Sequence, residues 1–391
     1  MRIVDVCAFY TPAGGGVRTY VEQKLRAGAK AGHEIIILAP GMREQETAPS
    51  PGARIVILPA PRFPLDRRYH YFDDEARLHA MLDALAPDVV EASSPWSSAA
   101  MVGRWRGNVP RSLVMHADPL SAYAYRWFGP VASRASIDRS FDWYWRHLRR
   151  LDACFDTVLC ASESLSARLR AGGLSHVKTL PMGVEPGLFA PGRRNEVLRA
   201  RLLRACALGP DATLLLGIGR HAAEKRWPMV IEAVTAAGYG KPVGLVLVGD
   251  GRDRAKVMRA AAHNPHIHLA APIMNRAQLA TLLASGDALV HGCESETFCM
   301  VAAEARASGL PLIVPDQGGA LDHAWAGAGF TYAAGQSASL ARAIGNFISQ
   351  GPAALRAQAG TLAPQVMTMA GHFDGLFSAY ARFPAVQRDA A

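Results

Sequence analysis

Short apolar runs alternate with helical stretches along this chain of 391 residues, and this alternation constrains its fold more than any other feature. Strands that alternate with helices predict parallel sheets whose crossover connections are helical. The strand-like runs form two sets, separated by the Pro- and Gly-rich segment 180–192. The first set comprises residues 3–9, 34–38, 54–58, 89–91, 112–116 and 157–160. The second set comprises residues 213–218, 243–248, 266–270, 288–291 and 312–314.

Two sets of strands predict two α/β domains. A single hydrophobic core rarely grows beyond roughly 250–300 residues, so the chain length supports the same division. We expect a first doubly wound, Rossmann-like domain over residues 1–185 and a second over residues 186–367. We expect a helix around residues 368–385 to pack back on the first domain. Two such domains that face each other would hold a ligand in a central cleft, at the carboxyl ends of the strands.

The charge excludes some partners. The formal net charge of +9 is evenly spread: residues 1–185 carry 23 basic and 19 acidic residues, and residues 186–391 carry 19 and 14. An even excess argues against a basic tail for nucleic acid, and no nucleic-acid motif is evident in the sequence. It is compatible with an anionic substrate or a membrane surface. We therefore predict no nucleic-acid partner.

The sequence also bears on location. Its first residues are too short and interrupted for a signal peptide, and no apolar run approaches the roughly 18 residues of a membrane span. The six cysteines contain no CxxC pair and fit reduced core residues. We expect a cytoplasmic protein, or one bound peripherally to the inner face of the cytoplasmic membrane.

Two acids, Glu296 and Glu304, lie eight positions apart in a segment that reads as strand, loop, helix and strand. A loop residue at a helix start and a residue two turns later can both face a ligand laid along that helix start. Such a pair suits a ligand with two sets of hydroxyl groups, such as a nucleotide sugar. The alternative is a capping acid followed by a surface glutamate.

Cations and glycines stand at the predicted ends of other strands. Arg220 and Lys225 follow the strand 213–218, where fixed cations would stabilise the growing negative charge of a departing diphosphate. The alternative is an ordinary surface pair with Glu224. Gly14–Gly16 follow the first strand and would let a phosphate approach the backbone, unless they form a simple tight turn. A dinucleotide fingerprint fits poorly, since its third glycine would fall at Thr19.

A histidine and an acid end the strand 112–116. His116 and Asp118 precede Pro119, and polar groups at a strand's carboxyl end point to the cleft. A lone histidine is more often structural, and a metal site would need a third ligand that is not visible here.

Five segments in this order resemble the glycosyltransferases of family 4, which have the GT-B fold. They are residues 14–19, 182–189, 217–225 and 248–251, and the E-x7-E pair with its trailing Gly318-Gly319. The resemblance implies a retaining transferase that moves a hexose-type sugar from a UDP- or GDP-linked donor to a hydroxyl acceptor. It implies no divalent metal and no cofactor besides the donor, because Arg220, Lys225 and helix N-termini replace the metal.

The resemblance also implies roles for single residues. His116 and Glu296 would contact the transferred sugar, and Asp118 would contact the acceptor or act as an acid or base; these three are the catalytic candidates. The donor-binding candidates are Gly15, Gly16, Arg220, Lys225, Ile273, Thr297, Phe298, Cys299, Met300, Val301 and Glu304. Two positions depart from the family pattern, because Arg226 and Cys299 stand where relatives have glycine. The second departure bears on which sugar the donor carries.

The acceptor is indicated less directly. Residues 123–128 and 141–150 interleave aromatic rings with arginine, and Arg62, Arg67 and Arg68 add positive charge near two tyrosines. Rings and arginines together suit a membrane interface. We therefore hypothesise a lipid or lipid-linked acceptor at a membrane surface. A core helix with its rings inward and its arginines outward is an equal alternative.

Other functions share parts of this pattern. A non-catalytic module that binds nucleotide sugars would keep Glu304 but would not need His116. A nucleotide-sugar epimerase or a sugar phosphorylase could have the same fold, although the last lysine, Lys256, is poorly placed to hold a pyridoxal group near the C-terminus. A dehydrogenase is a weaker alternative.

Overall fold

The structure is a computed structural model, and it describes residues 1–11, 16–64, 69–116, 118–129 and 131–383. Gly15, Arg67 and Arg68, which the sequence singled out, lie outside these ranges. The fourteen strands of the described residues are β1 Arg2–Val6, β2 Glu34–Gly41, β3 Gln45–Ser50, β4 Ala53–Pro59, β5 Val89–Ala92, β6 Arg111–Met115, β7 Thr157–Cys160, β8 Val177–Thr179, β9 Thr213–Ile218, β10 Val243–Val248, β11 Ile267–Ala270, β12 Ala288–Val290, β13 Leu312–Pro315 and β14 Gly329–Tyr332.

Helices connect these strands. In the described part of the chain they are α1 Gly16–Lys30, α2 Glu75–Leu85, α3 Ser97–Arg104, α4 Tyr125–Phe128, α5 Arg134–Ser140, α6 Asp142–Asp152, α7 Glu163–Ala171, α8 Glu196–Ala205, α9 Trp227–Gly238, α10 Arg254–Ala261, α11 Arg276–Ser285, α12 Met300–Ala307, α13 Ser337–Ser349, α14 Pro352–Leu362 and α15 Met369–Ala381. A π-helical turn, Leu120–Ala124, leads into α4.

The strands form two sheets. The first has the order β3-β4-β2-β1-β5-β6-β7-β8, and the second has the order β11-β10-β9-β12-β13-β14. All recorded pairings are parallel except that of β3 with β4. The strand order reverses between β1 and β5 in the first sheet and between β9 and β12 in the second. The predicted α/β architecture with two doubly wound sheets is confirmed.

All eleven strands that the apolar runs predicted are present, and three others were missed. The clearest miss is β3, whose sequence Gln-Glu-Thr-Ala-Pro-Ser is polar and mostly exposed. It lies at the edge of the first sheet as the antiparallel partner of β4. Such a strand is held by backbone hydrogen bonds and buries almost nothing, so no apolar pattern marks it. The short strands β8 and β14 were also missed; each lies at a sheet edge.

The C-terminal helix α15 returns to the first domain and packs against α1. The chain before α15 is tied to the linker by two backbone hydrogen bonds, from the Val184 amide to the Met367 carbonyl (2.9 Å) and from the Met369 amide to the Val184 carbonyl (2.8 Å). Residues 384–385 of the predicted helix lie outside the described ranges. Linker, C-terminal helix and first domain are therefore connected by direct contacts.

A buried ion cluster lies where the order of the first sheet reverses. The Lys24 ammonium of α1 donates to Asp5 of β1 (2.9 Å) and to Glu91 of β5 (2.6 Å), and all three side chains are fully buried. Ser93 donates to Asp5 (2.7 Å), and the Tyr380 hydroxyl of α15 donates to Glu91. Burial by itself lowers the pKa of Lys24, but the two carboxylates outweigh it and raise that pKa. The cluster joins two strands and two helices.

We expect Lys24→Met to lower the free energy of unfolding by about 3–5 kcal/mol, because it leaves two carboxylates buried without their cation. Urea unfolding followed by circular dichroism measures this. Lys256→Met is the matched control: the Lys256 side chain is 63% exposed and its ammonium pairs with Asp253 at 3.1 Å, so its removal should change stability by less than about 0.5 kcal/mol. Equal effects of the two substitutions would contradict the assigned role of the cluster.

Candidate functional site

The candidate site lies where the order of the second sheet reverses. The loop after β9 carries Arg220 and Lys225, and the loop between β12 and α12 carries Glu296. Because β9 and β12 are adjacent parallel strands, their carboxyl ends open at the same edge. Ligands of open α/β sheets bind in the crevice at such a reversal. The two sequence motifs are therefore brought together by the topology.

Lys225, Glu296 and His291 form a compact polar cluster. The Lys225 ammonium forms a salt bridge with the Glu296 carboxylate. The His291 Nε2 atom lies 3.4 Å from the same carboxylate oxygen. The Lys225 side chain is 14% exposed and that of Glu296 is 23% exposed, so the pair can be reached from the cleft, whereas His291 is buried.

The cluster fixes the charge of its members. Burial by itself raises the pKa of Glu296, but Lys225 and His291 outweigh burial and hold that pKa well below its usual range. Burial by itself lowers the pKa of Lys225, and Glu296 reverses this and raises it. Glu296 is thus a carboxylate and Lys225 an ammonium at neutral pH. Glu296 is suited to accepting hydrogen bonds from hydroxyl groups and unsuited to donating a proton.

Glu304 lies deeper, on α12, and is almost completely buried. Its carboxylate accepts a hydrogen bond from the Arg276 guanidinium at 2.7 Å. Burial raises the pKa of Glu304, although Arg276 opposes this. Arg276 is the first residue of α11, three positions after the donor-binding candidate Ile273. Sequence reasoning did not single out this arginine; a cation close to a donor-binding candidate was the available signal.

The two residues that depart from the family pattern, Arg226 and Cys299, share an unusual backbone conformation. Arg226 has φ 50° and Cys299 has φ 69°, so both backbones are left-handed, the conformation that glycine adopts at little cost. The Arg226 guanidinium forms a forked pair with Glu294. The Cys299 sulfur lies 3.6 Å from His291 Nε2. Side-chain contacts thus accompany each strained backbone.

The trailing Gly318-Gly319 packs against the same loop. Gly318 has φ +77°, and a Cβ atom there would lie 2.2 Å from the Glu294 carbonyl oxygen. A Cβ atom at Gly319 would lie 2.6 Å from the Thr297 carbonyl carbon, and the Gly319 amide donates to the Glu296 carbonyl at 2.7 Å. Only glycine lets these backbones approach, which holds the loop of Glu296 in place.

Arg220 is more loosely held than Lys225. Its side chain is 75% exposed and pairs with Glu224 at 3.1 Å. Glu224 also lies 3.5 Å from Arg126 of the first domain. The surface pair considered as an alternative for Arg220 is therefore present, and most of the Arg220 side chain is accessible to solvent.

His116, in the first domain, faces the loop between β12 and α12. It is partly buried at the end of β6, and its carbonyl accepts a hydrogen bond from the Thr297 hydroxyl at 3.1 Å. Burial lowers the pKa of His116 to about 4, so its imidazole is neutral at neutral pH. The structure therefore brings His116, Thr297 and Glu296 to one cleft.

Asp118 has partners of its own. Its carboxylate pairs with Arg168 of α7 and accepts from the Ser121 hydroxyl at 2.7 Å and the Ser121 amide at 3.3 Å. These contacts fasten the π-helical turn to α7. A role for Asp118 as acid, base or acceptor contact stays a prediction, and the structure favours a structural role beside it.

The other predicted donor residues lie in different parts of the fold. Phe298 is buried in the hydrophobic core of the second domain, and its carbonyl accepts a hydrogen bond from His323 Nε2 at 2.7 Å. The first turn of α12 begins at Met300 and Val301, whose amides have no partner within a helix. Ile273 is partly buried beside the same domain core. Gly16 begins α1, whereas Gly15 lies outside the described residues.

His291, Glu296 and Cys299 are also the one group in the described residues whose ligand atoms could meet on a metal ion, since these atoms lie within 4.8 Å of one another. The Lys225 ammonium already neutralises the carboxylate of this group. Sequence reasoning did not weigh His291, although it stands in the same motif as Glu296.

The cleft geometry defines a class of protein. Two doubly wound domains face each other, with the cations Arg220 and Lys225 and the carboxylate Glu296 at the strand ends of the second and a neutral histidine opposite. This is the arrangement of a GT-B glycosyltransferase that uses a nucleotide-sugar donor.

Comparisons with known proteins give the family. The model for Glycosyltransferase Family 4 matches residues 14–188, and that for Glycosyl transferases group 1 matches residues 204–365. A GDP-mannose-dependent alpha-mannosyltransferase of Mycobacterium tuberculosis is 33% identical over 82% of this chain and 81% of its own. A GDP-mannose-dependent alpha-(1-6)-phosphatidylinositol dimannoside mannosyltransferase of M. tuberculosis is 30% identical over 80% and 79%.

Solved structures agree on the fold. Sucrose-phosphate synthase from Thermosynechococcus elongatus superposes with a TM-score of 0.75 at 19% identity, covering 97% of this chain and 98% of that one. WaaG, a glycosyltransferase involved in lipopolysaccharide biosynthesis, has a TM-score of 0.68 at 16% identity, covering 98% and 100%. The chain belongs to glycosyltransferase family 4 and is a nucleotide-sugar glycosyltransferase. The binding-module and epimerase alternatives are not favoured.

We expect Cys299→Gly to be more stable than Cys299→Ala by about 0.5–1 kcal/mol. Both substitutions remove the sulfur, but only glycine adopts the left-handed backbone without strain. Urea unfolding of the two variants measures the difference. In the control position Ala303, inside α12, the sign should reverse, and glycine should cost about 1 kcal/mol relative to alanine. A Cys299→Gly variant less stable than Cys299→Ala would contradict the backbone assignment.

Proposed function

We propose that the protein is a retaining mannosyltransferase that uses GDP-mannose and glycosylates a lipid or lipid-linked acceptor at a membrane surface. The cleft supports the transfer through one observation above all, the Lys225–Glu296 pair beside the first turn of α12. The two mycobacterial relatives, named for GDP-mannose, support the choice of donor, and the second, named for a phosphatidylinositol dimannoside, supports the choice of acceptor.

The proposed chemistry separates charge between the two domains. The bond between the anomeric carbon and the diphosphate breaks, and its electron pair goes to the diphosphate. Lys225, Arg220 and the amides at the start of α12 stabilise that negative charge. The acceptor hydroxyl forms the new bond on the same face, and its proton goes to the departing phosphate.

The remaining cleft residues hold and orient the donor. Glu296 accepts hydrogen bonds from sugar hydroxyls and Glu304 from ribose hydroxyls, for which Glu304 must share or release Arg276. His116, neutral because of burial, contacts the transferred sugar without adding a second positive charge beside the developing oxocarbenium ion. We propose that the reaction needs no divalent metal, since Lys225 and Arg220 supply the positive charge. Full activity in EDTA would support this proposal.

We expect Lys225→Met to lower kcat for mannosyl transfer from GDP-mannose by about 10²–10³, because it removes a fixed cation from the developing diphosphate. Radiolabelled GDP-mannose with a phosphatidylinositol mannoside acceptor measures this. Lys241→Met is the control, since Lys241 is exposed and bonds Ser349 on the surface of the same domain. It should keep full activity.

A thermal-shift experiment tests the donor independently of the acceptor. GDP should stabilise the wild type by linkage, by about 2.7 kcal/mol at a hundredfold excess over its dissociation constant, and UDP should not. Stabilisation by UDP alone would overturn the choice of donor but would not contradict the transferase class.

In the kinetic experiment, an unchanged kcat of the Lys225→Met variant would overturn the role of the cation.

An exposed surface of rings and arginines on the first domain supports the membrane proposal. We call it the aromatic–arginine surface; its members are Tyr123, Trp127, Phe128, Val131, Trp143, Arg139, Arg146 and Arg150. The five apolar side chains are 43–84% exposed. On α6, Trp143, Arg146 and Arg150 share the outer face, whereas Trp145 is buried. The helix thus combines both readings of its sequence.

The position of this surface fits a lipid acceptor. Arg126, in the same segment, reaches Glu224 beside the donor cations, so the aromatic–arginine surface adjoins the cleft. Rings at headgroup depth with arginines beside lipid phosphates would bring the cleft to the membrane. Within the described residues, every helix is too short or too polar to span a bilayer, so the proposed binding is peripheral.

We expect the protein to co-sediment with vesicles that contain phosphatidylinositol and to bind neutral phosphatidylcholine vesicles weakly. The double substitution Trp127→Ser, Trp143→Ser should reduce binding about tenfold or more, and Arg146→Gln, Arg150→Gln should remove its dependence on salt. Tyr239→Ser in the second domain is the control, because that ring is 90% exposed away from this surface. Binding that is independent of anionic lipid and unaffected by replacing the arginines would refute the proposal.

A further inference from the structure

Tyr20 packs against the candidate catalytic histidine. It lies on α1, is almost completely buried, and meets the His116 imidazole edge to face with ring centroids 5.0 Å apart. The hydrogen bond between His116 and Thr297 uses the backbone carbonyl of His116 and leaves its ring free to rotate. The packed Tyr20 ring restricts the orientations that the His116 ring can adopt.

The Tyr20 hydroxyl is held in turn by His372 of α15. It lies 3.1 Å from His372 Nε2, and His372 Nδ1 lies 2.9 Å from the Pro181 carbonyl. A carbonyl oxygen only accepts, so Nδ1 carries the proton and Nε2 accepts the Tyr20 hydroxyl hydrogen. Burial lowers the pKa of His372 to about 4, which keeps this tautomer neutral at neutral pH.

The four residues that these contacts connect come from different parts of the fold. Pro181 belongs to the linker, His372 to the C-terminal helix, Tyr20 to α1 and His116 to the end of β6. The linker and the start of α15 are already joined through the backbone of Val184. Two hydrogen bonds and one ring contact therefore connect the linker at Pro181 to His116.

We propose that His372 is a positioning residue for glycosyl transfer: it fixes Tyr20 against His116 and ties that arrangement to the interdomain linker. The inference rests on the proposed function for its kinetic consequence. Its geometric part, the orientation of the His116 ring, is independent of that function.

Substitutions of His372 separate its two hydrogen bonds. Asparagine places an amide nitrogen near the position of Nδ1 and keeps the bond to Pro181, whereas glutamine reaches the position of Nε2 and keeps an acceptor for Tyr20. Tyr20→Phe removes the same bond from the other side and keeps the ring. His372→Asn and Tyr20→Phe should therefore share one phenotype, and His372→Gln should be milder.

We expect His372→Asn and Tyr20→Phe each to lower kcat about three- to tenfold, the range for one lost buried hydrogen bond, and to change KM for the donor less than about twofold. Lys225, Glu296 and Glu304, to which we assign most donor contacts, lie in the second domain, so donor binding should survive. The double variant should be no slower than the slower single variant. Asp374→Asn is the control, an exposed change two positions along α15.

NMR of the His116 imidazole gives a second readout that needs no turnover. Its signals should shift or broaden in His372→Asn and Tyr20→Phe and stay at wild-type positions in His372→Gln and Asp374→Asn. The proposal would be overturned if His372→Asn and Tyr20→Phe had the kcat of the wild type and their His116 signals were unchanged. If the wild type transferred no sugar at all, the proposed function would fail, and the NMR result would still decide the positioning role.

Discussion

Everything functional in this molecule depends on one constraint: adjacent parallel strands end at the same edge of a sheet. In the second sheet the order reverses between β9 and β12, so the loops that follow them diverge and leave a crevice. Lys225 lies in the loop after β9 and Glu296 in the loop after β12. They are 71 positions apart in sequence, yet they form a salt bridge. The topology, rather than either motif alone, brings these two charges together in the candidate site.

Two ion clusters, each at a reversal of strand order, differ in how far they are exposed to solvent. Lys24 with Asp5 and Glu91 also lies at a reversal of strand order, but it is fully buried and closed over by Tyr380 of α15. The pair of Lys225 and Glu296 is 14% and 23% exposed toward the cleft. The first cluster has no face left for a ligand and joins elements together. The pair of Lys225 and Glu296 remains accessible to a ligand.

The fold could be predicted from the sequence, whereas several contacts within the candidate site could not. Apolar runs predicted eleven strands because those strands are buried, and they could not predict β3, which is exposed and polar. The spacing of Glu296 and Glu304 predicted one wall of the site, and the comparisons confirm the family. The spacing could not reveal that Arg276 holds Glu304 or that Arg168 holds Asp118, since these partners lie 28 and 50 positions away and meet only in the folded chain.

The two departures from glycine, Arg226 and Cys299, bear on how the donor loop is held. A left-handed backbone costs a side-chain-bearing residue roughly 1–2 kcal/mol more than glycine, so each side chain must offset strain through its contacts. Arg226 does so with Glu294, at the start of the loop, and Cys299 lies against His291 at its end. The loop that presents Glu296 is therefore fixed at both ends by side-chain contacts. A loop fixed in this way is preorganised. If Glu296 accepts hydrogen bonds from the donor sugar, as we propose, donor selection depends on how closely the sugar's hydroxyl groups match a carboxylate that is held in place.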